Sequence, residues 1–496
     1  NSHHTIIIKN IMKVSHVVKI NALGGILSPS KLKEIVQIAF KHGAANINFG
    51  PRQEVFFNIH KEALQGFCDE MLVKKFEFEF DQDHSPNIIS SYPSENILSG
   101  ENWLTEGIYK DVFDQFDFQP RLKINIVDND QCLVPFFSGE LNFIASNQYQ
   151  YWYLYINIRK NGAIFRWNRL IYSTDIARIS NEIEELYFNN KITDLAIIMD
   201  LVNENAKYLF ESLKEELVLP RFVFPYYEGM NKYGSNFWLG IYRRDYLFPI
   251  QFVFELCVLC SETNIGQICI TPWRTLIIKG IEQKDRIKWE KLLGKHGINL
   301  RHSSTELNWL IEDINSRELD LKKYIVSQLD QKDTRTFGLV FGIKLQSNDY
   351  IPASVIIEEK PLIHKDDLRL FSNYDIYYTE NFNPNSPNKI LFAKNISKNN
   401  VINKLLELTK RHSESMTELS SPVVIEKAET KKELSNIILH QCKHCFTVYD
   451  LQFGDELQNI KPGISFVSLP QNYHCPTCEA PKSAFIEIFE NNLINT

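Results

Sequence analysis

Two cysteine pairs near the C-terminus, Cys442-Lys443-His444-Cys445 and Cys475-Pro476-Thr477-Cys478, decide the fold of the segment that carries them. Each pair is a C-x-x-C motif, and residues 446–474 lie between the two pairs. Four thiolates presented on two such loops form a tetrahedral sulfur cage, which suits zinc or a single iron ion. The spacing therefore predicts one metal site, made of Cys442, Cys445, Cys475 and Cys478.

The residues around these pairs resemble the rubredoxin family over about residues 438–490. The matching positions are Tyr449-Asp450, Pro462-Gly463, Phe466, Leu469-Pro470, Tyr473, Lys482 and Phe485. The resemblance implies one iron ion on the four cysteines, cycling between Fe3+ and Fe2+ by one electron. Zinc stays an alternative occupant, although a zinc ribbon would not be expected to share the family's aromatic core, here Tyr449, Phe466, Tyr473 and Phe485.

Two positions depart from the rubredoxin pattern. The family usually places glycine after the second cysteine of each pair, whereas Phe446 and Glu479 stand there in this chain. Glycine suits a positive φ and a close approach of the backbone. The four ligands are unaffected, but the N–H groups that tune an iron–sulfur site are presented by different residues.

Composition limits the remaining possibilities. A chain of 496 residues with 44% hydrophobic residues is expected to form several packed domains. A net charge of −7 and the lack of a long basic run argue against nucleic acid as a partner. The nine cysteines, four of them in one metal motif, indicate a reducing compartment. We therefore expect a cytoplasmic protein with no membrane insertion, because no apolar run approaches the ~20 residues of a membrane span.

The body of the chain contains an internal repeat. A helix with Leu32, Ile35, Val36 and Ala39 on one face, Ser30 as a candidate N-cap and Gly43 at its end, precedes a strand at 46–49, a basic turn, a strand at 55–57 and a helix at 61–71. The same order returns as a helix at 249–260, strands at 267–270 and 275–278, and a helix at 283–295. Two copies of this order predict a duplicated α+β unit.

This order, with short sequence patches, resembles the sirohaem nitrite and sulfite reductase family over about residues 15–410. The resemblance implies an α+β fold of duplicated ferredoxin-like halves and α/β halves of the nitrite/sulfite reductase type, followed by a small rubredoxin-like metal-bound β domain. The expected divisions are ferredoxin-like halves at 15–80 and 226–300, α/β domains at 81–225 and 301–412, a polar linker at 413–436, and the rubredoxin-like domain at 437–496.

Four basic residues of the body are candidates for an anion or tetrapyrrole pocket. Arg52 precedes Gln53 where the family has Arg-Gln, and Arg121 and Lys123 resemble the family's basic strand, where side chains two residues apart share a face. Arg274 is interpreted as the counterpart of Arg52 in the second copy. Family members use such groups to hold an anionic substrate on the haem. The alternative is that these residues are solvated or paired with acidic groups.

The cysteines that bind the family's four-iron cluster are missing. No cysteine lies between Cys269 and Cys442, the stretch Ser90-Ser91-Tyr92-Pro93 has none, and the following candidate segment offers only Cys132. Because such a cluster needs about four thiolates, we do not expect a [4Fe-4S] cluster or sirohaem. Cys257 and Cys260 form a third C-x-x-C, which lies in an apolar helix and is expected to pack in the core; Cys68 is expected to be structural.

Together these features predict a one-electron transfer protein whose degenerate reductase-like body serves as a docking or regulatory platform. A redox protein, either an electron donor or an acceptor, is the expected partner. Whether the chain is itself an enzyme stays open, with an electron carrier favoured over a self-sufficient reductase. The alternatives are a sirohaem-binding nitrite or sulfite reductase with a fused rubredoxin donor, and a zinc-stabilised binding protein without a redox role.

Overall fold

The fold is described from a computed structural model. It describes residues 14–81, 84–98, 103–130, 133–158, 164–205, 207–311, 316–345, 351–361, 372–420, 438–445, 447–449, 451, 454–455, 458, 460–461 and 463–489. The chain divides into two compact units, Asn1–Glu418 and Leu419–Thr496, which are treated separately below. Among the described residues, no helix is both long enough and apolar enough to cross a membrane.

The first unit contains two antiparallel sheets of five strands each. The first has the order β15-β3-β4-β1-β5, and the second has the order β13-β14-β17-β16-β2. The strands of the first are β1 (Ser15–Asn21), β3 (Asn46–Phe49), β4 (Glu54–His60), β5 (Glu79–Phe80) and β15 (Phe248–Pro249). Those of the second are β2 (Ile26–Leu27), β13 (Gly229–Tyr233), β14 (Asn236–Ile241), β16 (Ile268–Ile270) and β17 (Leu276–Ile281).

Two mixed sheets complete the first unit. Each has three parallel strands followed by antiparallel ones. The first contains β6 (Ile89–Ser90), β7 (Ile124–Val127), β8 (Leu141–Ala145), β9 (Tyr151–Ile156), β10 (Phe165–Arg166), β11 (Arg169–Tyr172) and β12 (Phe210–Ser212). The second contains β18 (Trp309–Ile311), β19 (Phe341–Lys344), β20 (Val355–Pro361), β21 (Ser372–Thr379) and β22 (Lys389–Ile396). The repeat seen in the sequence thus extends to the mixed sheets.

Helices cover these sheets. In chain order they are α1 (Pro29–Lys41), α2 (Leu64–Val73), α3 (Glu106–Phe113), α4 (Ile176–Glu184), α5 (Leu195–Asn203), α6 (Ile250–Glu262), α7 (Arg286–Lys295), α8 (Ser304–Leu307), α9 (Ser316–Gln331) and α10 (Lys398–Ser420). The second unit has one three-stranded sheet, β24-β23-β25, made of β23 (Ile438–Cys442), β24 (Val448–Tyr449) and β25 (Phe485–Phe489).

The two halves of the first unit exchange short strands. Strand β2 comes just before α1 but pairs with β16, while β15 comes just before α6 but pairs with β3. Helices α1 and α6 then pack against each other within one apolar core that is shared by both antiparallel sheets. The halves are therefore joined by backbone hydrogen bonds as well as by buried apolar surface, which makes them one cooperative body.

Helix α1 shows both the strength and the limit of the sequence pattern. Leu32, Ile35, Val36 and Ala39 are buried as expected, and Gly43 ends the helix at φ 89°. The N-cap is Ser28 rather than the expected Ser30, since its side chain accepts from the Lys31 N–H at 3.2 Å. Pro29 accounts for the difference, because proline suits the first helical position and its missing N–H costs nothing there.

Helix α10 extends beyond the expected end of the body. Ile402, Leu405, Leu408 and His412 are buried along one face, and the helix continues to Ser420. Residues 413–420 of the predicted linker are therefore helical, and they continue a helix whose earlier turns are buried through Ile402, Leu405 and Leu408. Residues 421–436 lie outside the described residues.

A lysine is buried where α9 meets the end of β14. The amine of Lys322 donates to the hydroxyl oxygens of Tyr242 and Tyr246, at 2.6 and 2.7 Å, and the side chain is 1% exposed. Burial lowers its pKa to about 7, although Glu306 acts in the opposite direction. The sequence did not indicate this site, since Lys322 reads as one more polar residue of an amphipathic helix.

Lys322 predicts a particular dependence of stability on pH. Because its pKa in the folded chain is below the value of about 10.4 for an exposed lysine, the unfolded chain binds an extra proton between pH ~7 and ~10. Lys322 therefore destabilises the fold most below pH ~7, and the cost fades as the pH rises to ~10. We expect Lys322→Met to flatten the rise of unfolding free energy by up to about 1.4 kcal/mol per pH unit in this window.

Urea unfolding at pH 6.5 and 9.5, followed by tryptophan fluorescence, measures this slope. All seven tryptophans lie between Trp103 and Trp309, so the signal reports on the first unit. The matched control is Lys323→Met on the exposed neighbour of Lys322. Equal slopes for wild type and Lys322→Met would contradict the prediction.

Candidate metal centre

Two loops of the second unit carry the cysteine pairs and have the same backbone pattern. The N–H of Cys442 donates to the carbonyl of Thr447 at 2.9 Å, and the N–H of Cys475 donates to the carbonyl of Ala480 at 2.7 Å. In both loops the acceptor lies five residues after the first cysteine. Each bond folds its loop back on itself, so that both sulfurs of a pair point to the same side.

The four sulfurs meet at one point. All four Sγ atoms lie within 4.8 Å of one another, with 3.6 Å between Cys442 and Cys478 and 3.4 Å between Cys445 and Cys475. A tetrahedral ion with metal–sulfur bonds of about 2.3 Å places its sulfurs about 3.8 Å apart. The donor set and its spacing therefore fit one tetrahedral thiolate-bound ion.

The sulfurs differ in their exposure. Cys442 and Cys475 are buried, Cys445 is half-buried and Cys478 is exposed. The Thr447 hydroxyl lies 3.1 Å from the Cys445 sulfur and lowers the pKa of that thiol to about 6. The site thus has a covered inner side at Cys442 and Cys475 and an open edge at Cys478.

An aromatic cluster supports the inner side. Phe466 contacts the rings of Tyr449, Tyr473 and Phe485 at centroid distances of 5.6, 6.1 and 4.9 Å. Tyr449, Phe466 and Tyr473 are each less than 10% exposed. The aromatic core that the sequence predicts is present, and it packs directly behind the strand that ends at Cys442.

Polar contacts hold this core in place. The Tyr473 hydroxyl donates to the buried carboxylate of Asp455 at 3.1 Å, and the Lys482 amine donates to the carbonyls of Val467 and Leu469 at 3.0 and 2.6 Å. The ring of His440 stacks on Phe466 at 4.2 Å, and burial lowers its pKa. None of these groups belongs to the four-sulfur cluster.

Glu479 takes the place of the expected glycine. Its φ is 59°, in the left-handed region where a side chain costs about 1–2 kcal/mol. Its N–H donates to the carbonyl of Cys475 at 2.9 Å. The second cysteine loop therefore keeps the backbone shape that favours glycine, and it carries the strain of the Glu479 side chain. Phe446, the equivalent residue of the first cysteine loop, lies outside the described residues.

Arg52 of the first unit is committed to the protein backbone. Its guanidinium donates to the carbonyls of Asn87 and Ile124 at 2.7–3.1 Å and to the side-chain oxygen of Asn125 at 3.3 Å. The residue is 8% exposed. Arg52 thus ties the turn between β3 and β4 to the segment just before β6 and to strand β7.

Arg121 and Lys123 are not presented on a strand as expected. Strand β7 begins after them, at Ile124, and the N–H groups of both residues donate to carboxylates, while the carbonyl of Lys123 accepts the N–H of Leu141, the first residue of β8. These acceptors are Glu184 for Arg121 and Glu140 for Lys123, each at 2.8 Å. The exposed guanidinium of Arg121 lies 3.8 Å from the ring centroid of Phe188.

Arg274 is not the structural counterpart of Arg52. The Gln53 N–H donates to Gly50 and the Arg274 N–H to Thr271, each three residues back, and both residues have φ near 60°. Arg274 therefore matches Gln53, and Trp273 matches Arg52. The matching of residue types in the sequence shifted the two turns by one position. The guanidinium of Arg274 donates to the carbonyls of Phe49 and Ile311 at 3.3 and 3.2 Å.

The remaining cysteines of the first unit are dispersed. Cys257, Cys260 and Cys269 are buried among apolar side chains, and burial raises the pKa of each thiol. Cys68 is half-buried, and Cys132 lies outside the described residues. In the part of the chain that the structure describes, Cys442, Cys445, Cys475 and Cys478 form the only group of three or more His, Cys, Asp or Glu side chains that could hold a metal ion.

Sequence reasoning did not identify the two threonines of the centre. The Thr447 hydroxyl lies 2.8 Å from the Thr477 hydroxyl, which joins the two cysteine loops beside the sulfurs. Their positions within two residues of a cysteine were the available signal.

Comparisons with known proteins found relatives of the second unit and a solved structure with the fold of most of the chain. The rubredoxin family matches residues 439–485. The chain is 45% identical over 53 residues to the probable rubredoxin HupJ of Rhodobacter capsulatus, which covers 11% of this chain and 19% of that protein. It is 41% identical over 58 residues to the probable rubredoxin HupI of Bradyrhizobium diazoefficiens, which covers 12% of this chain and 84% of that protein.

The fold of most of the chain is shared with a solved structure, that of the Mycobacterium tuberculosis NirA protein. The likeness covers 84% of this chain and 82% of that chain, with a TM-score of 0.60 and 12% identity. The predicted fold class is confirmed: a mixed helix-and-sheet body with the NirA fold, followed by a small rubredoxin-like β domain. The four cysteines of that domain imply a mononuclear iron site. Through residues 439–485, the chain belongs to the rubredoxin family.

Proposed function

We propose that the C-terminal unit transfers single electrons on an iron ion held by Cys442, Cys445, Cys475 and Cys478. The observation that carries this proposal is the meeting of four sulfurs within 4.8 Å in a rubredoxin segment. Bound iron would supply one-electron chemistry between its ferric and ferrous states. The protein supplies the thiolates, and the cluster of Tyr449, Phe466 and Tyr473 excludes water from the inner side.

The exposed edge at Cys478 is where we propose that electrons enter and leave. Cys442 and Cys475 are buried, so a partner reaches the centre more closely at Cys478. Acidic side chains outnumber basic ones in residues 437–496: Asp450, Asp455, Glu456, Glu479, Glu487 and Glu490 against Lys443, Lys461 and Lys482. This balance favours a redox partner with a basic surface, and salt would weaken the association.

We propose that the body is a degenerate relative of the sirohaem reductases and acts as a docking or regulatory platform. The divisions expected from the sequence, with ferredoxin-like halves at 15–80 and 226–300, belong to this proposal. Two observations support the loss of the central cofactors. The guanidinium groups of Arg52 and Arg274 donate to backbone carbonyls, and the described cysteines of the body do not form a group that fits a four-iron cluster.

The shared NirA fold also supports an alternative function, that of a nitrite or sulfite reductase. In that alternative the body binds sirohaem, Arg52, Arg121 and Lys123 hold nitrite or sulfite, and the rubredoxin domain delivers electrons to it. The observation in its favour is the shared fold over 84% of the chain. A zinc-stabilised protein without a redox role is the other alternative, since zinc also accepts four thiolates.

The visible spectrum of the purified chain, combined with metal analysis, separates these three functions. We expect ferric–thiolate charge-transfer bands that dithionite bleaches, and one iron per chain, because the four sulfurs enclose a single ion. Sirohaem bands would contradict the proposed loss of cofactors from the body. A colourless protein with stoichiometric zinc after anaerobic, iron-replete expression would contradict the redox function.

Removal of one ligand tests whether the centre serves electron transfer or holds the whole chain together. We expect Cys475→Ser to abolish the iron bands and to leave the urea midpoint of the first unit unchanged, because Cys475 lies in the other compact unit. All tryptophans lie in the first unit, so their fluorescence reports the unfolding of that unit. Cys68→Ser, at a half-buried cysteine of the first unit, is the control that keeps the bands. A large drop in the urea midpoint of Cys475→Ser would instead make the centre a structural clamp for the body.

A further inference from the structure

Thr447 contacts both ligand loops. Its carbonyl accepts the N–H of Cys442 at 2.9 Å, and its hydroxyl lies 3.1 Å from the sulfur of Cys445. The same hydroxyl lies 2.8 Å from that of Thr477, which sits between the cysteines of the other loop. One residue therefore touches two ligands of the first loop and the tip of the second.

The second loop lacks an equivalent hydroxyl. Ala480 accepts the N–H of Cys475 as Thr447 accepts that of Cys442, and each residue stands two positions after its loop's second cysteine. The methyl side chain of Ala480 cannot donate to Cys478. Of the two outer sulfurs, Cys445 therefore has a threonine hydroxyl at this loop position and Cys478 has none.

The ionisation of Cys445 decides which atom accepts the hydrogen bond from the Thr447 hydroxyl. With neutral thiols, the Thr447 hydroxyl donates to Thr477. A metal-bound Cys445 is a thiolate, which can only accept. A hydrogen bond to an ionised acceptor is stronger than one between two neutral hydroxyls. With a metal bound, the Thr447 hydroxyl therefore donates to the Cys445 sulfur instead of to Thr477.

We infer that Thr447 is a positioning residue that raises the reduction potential of the iron centre by donating a hydrogen bond to the Cys445 sulfur. The inference rests on the proposed function, since it concerns the same site. Reduction adds one electron, taken from the reducing partner, and breaks no bond, so the four thiolates and their ion gain one unit of negative charge. A donor beside one sulfur stabilises that charge and favours the reduced state.

The midpoint potential of the iron-loaded full chain tests this inference. We expect Thr447→Val, which keeps the shape and removes the hydroxyl, to lower the potential and to move the charge-transfer bands to longer wavelength. Thr447→Ser restores the hydroxyl and is expected to restore both readouts. Thr477→Val removes the contact between the loops but keeps the donor to Cys445, and is expected to stay with the wild type.

Each other outcome contradicts the inference. An unchanged potential in Thr447→Val would show that the hydroxyl does not tune the iron. An equal drop in Thr477→Val would assign the effect to the contact between the loops, and loss of iron binding in Thr447→Val would make Thr447 part of site assembly. Iron analysis of the wild type separates these results from a failure of the proposed function, because a chain without iron has no potential to measure.

Discussion

Four cysteine sulfurs within 4.8 Å of one another cannot all be ionised unless a cation lies between them. The second unit depends on this constraint, because its buried apolar core is small and consists mainly of Tyr449, Ile460, Phe466, Leu469 and Tyr473. A unit of this size usually needs a metal or a cross-link to fold. A metal bound by the four thiolates would thus supply a large part of the stability of this unit.

The first unit is built on a different principle. Its two halves share one apolar core and exchange the strands β2 and β15, so they are joined by side-chain packing and backbone hydrogen bonds. Arg52 and Arg274 add to this by joining neighbouring elements through backbone carbonyls. These contacts are compatible with the proposal that the body keeps the NirA fold without the central cofactors, because fold and function depend on different residues.

The sequence predicted the features that depend on short-range patterns. The four ligands and the order of elements in the duplicated body follow from cysteine spacing and hydrophobic periodicity, which are local, and the aromatic core follows from the resemblance to the rubredoxin family. The errors arose where a second constraint competed. Pro29 moved the N-cap of α1 to Ser28, helix α10 continues into the predicted linker, and turn geometry matched Arg274 with Gln53. The contacts of Lys322 and Thr447 could not be predicted, because their partners depend on tertiary packing.

We propose that one iron centre, held by Cys442, Cys445, Cys475 and Cys478, carries the redox chemistry of the chain. A coulometric reductive titration of the iron-loaded protein tests it directly, since it counts the electrons that each chain accepts. We predict an uptake of one electron per chain in a single step, and no uptake once the iron has been removed. Uptake of more than one electron per chain, or uptake by the iron-free chain, would place a second redox centre in the protein and contradict this proposal.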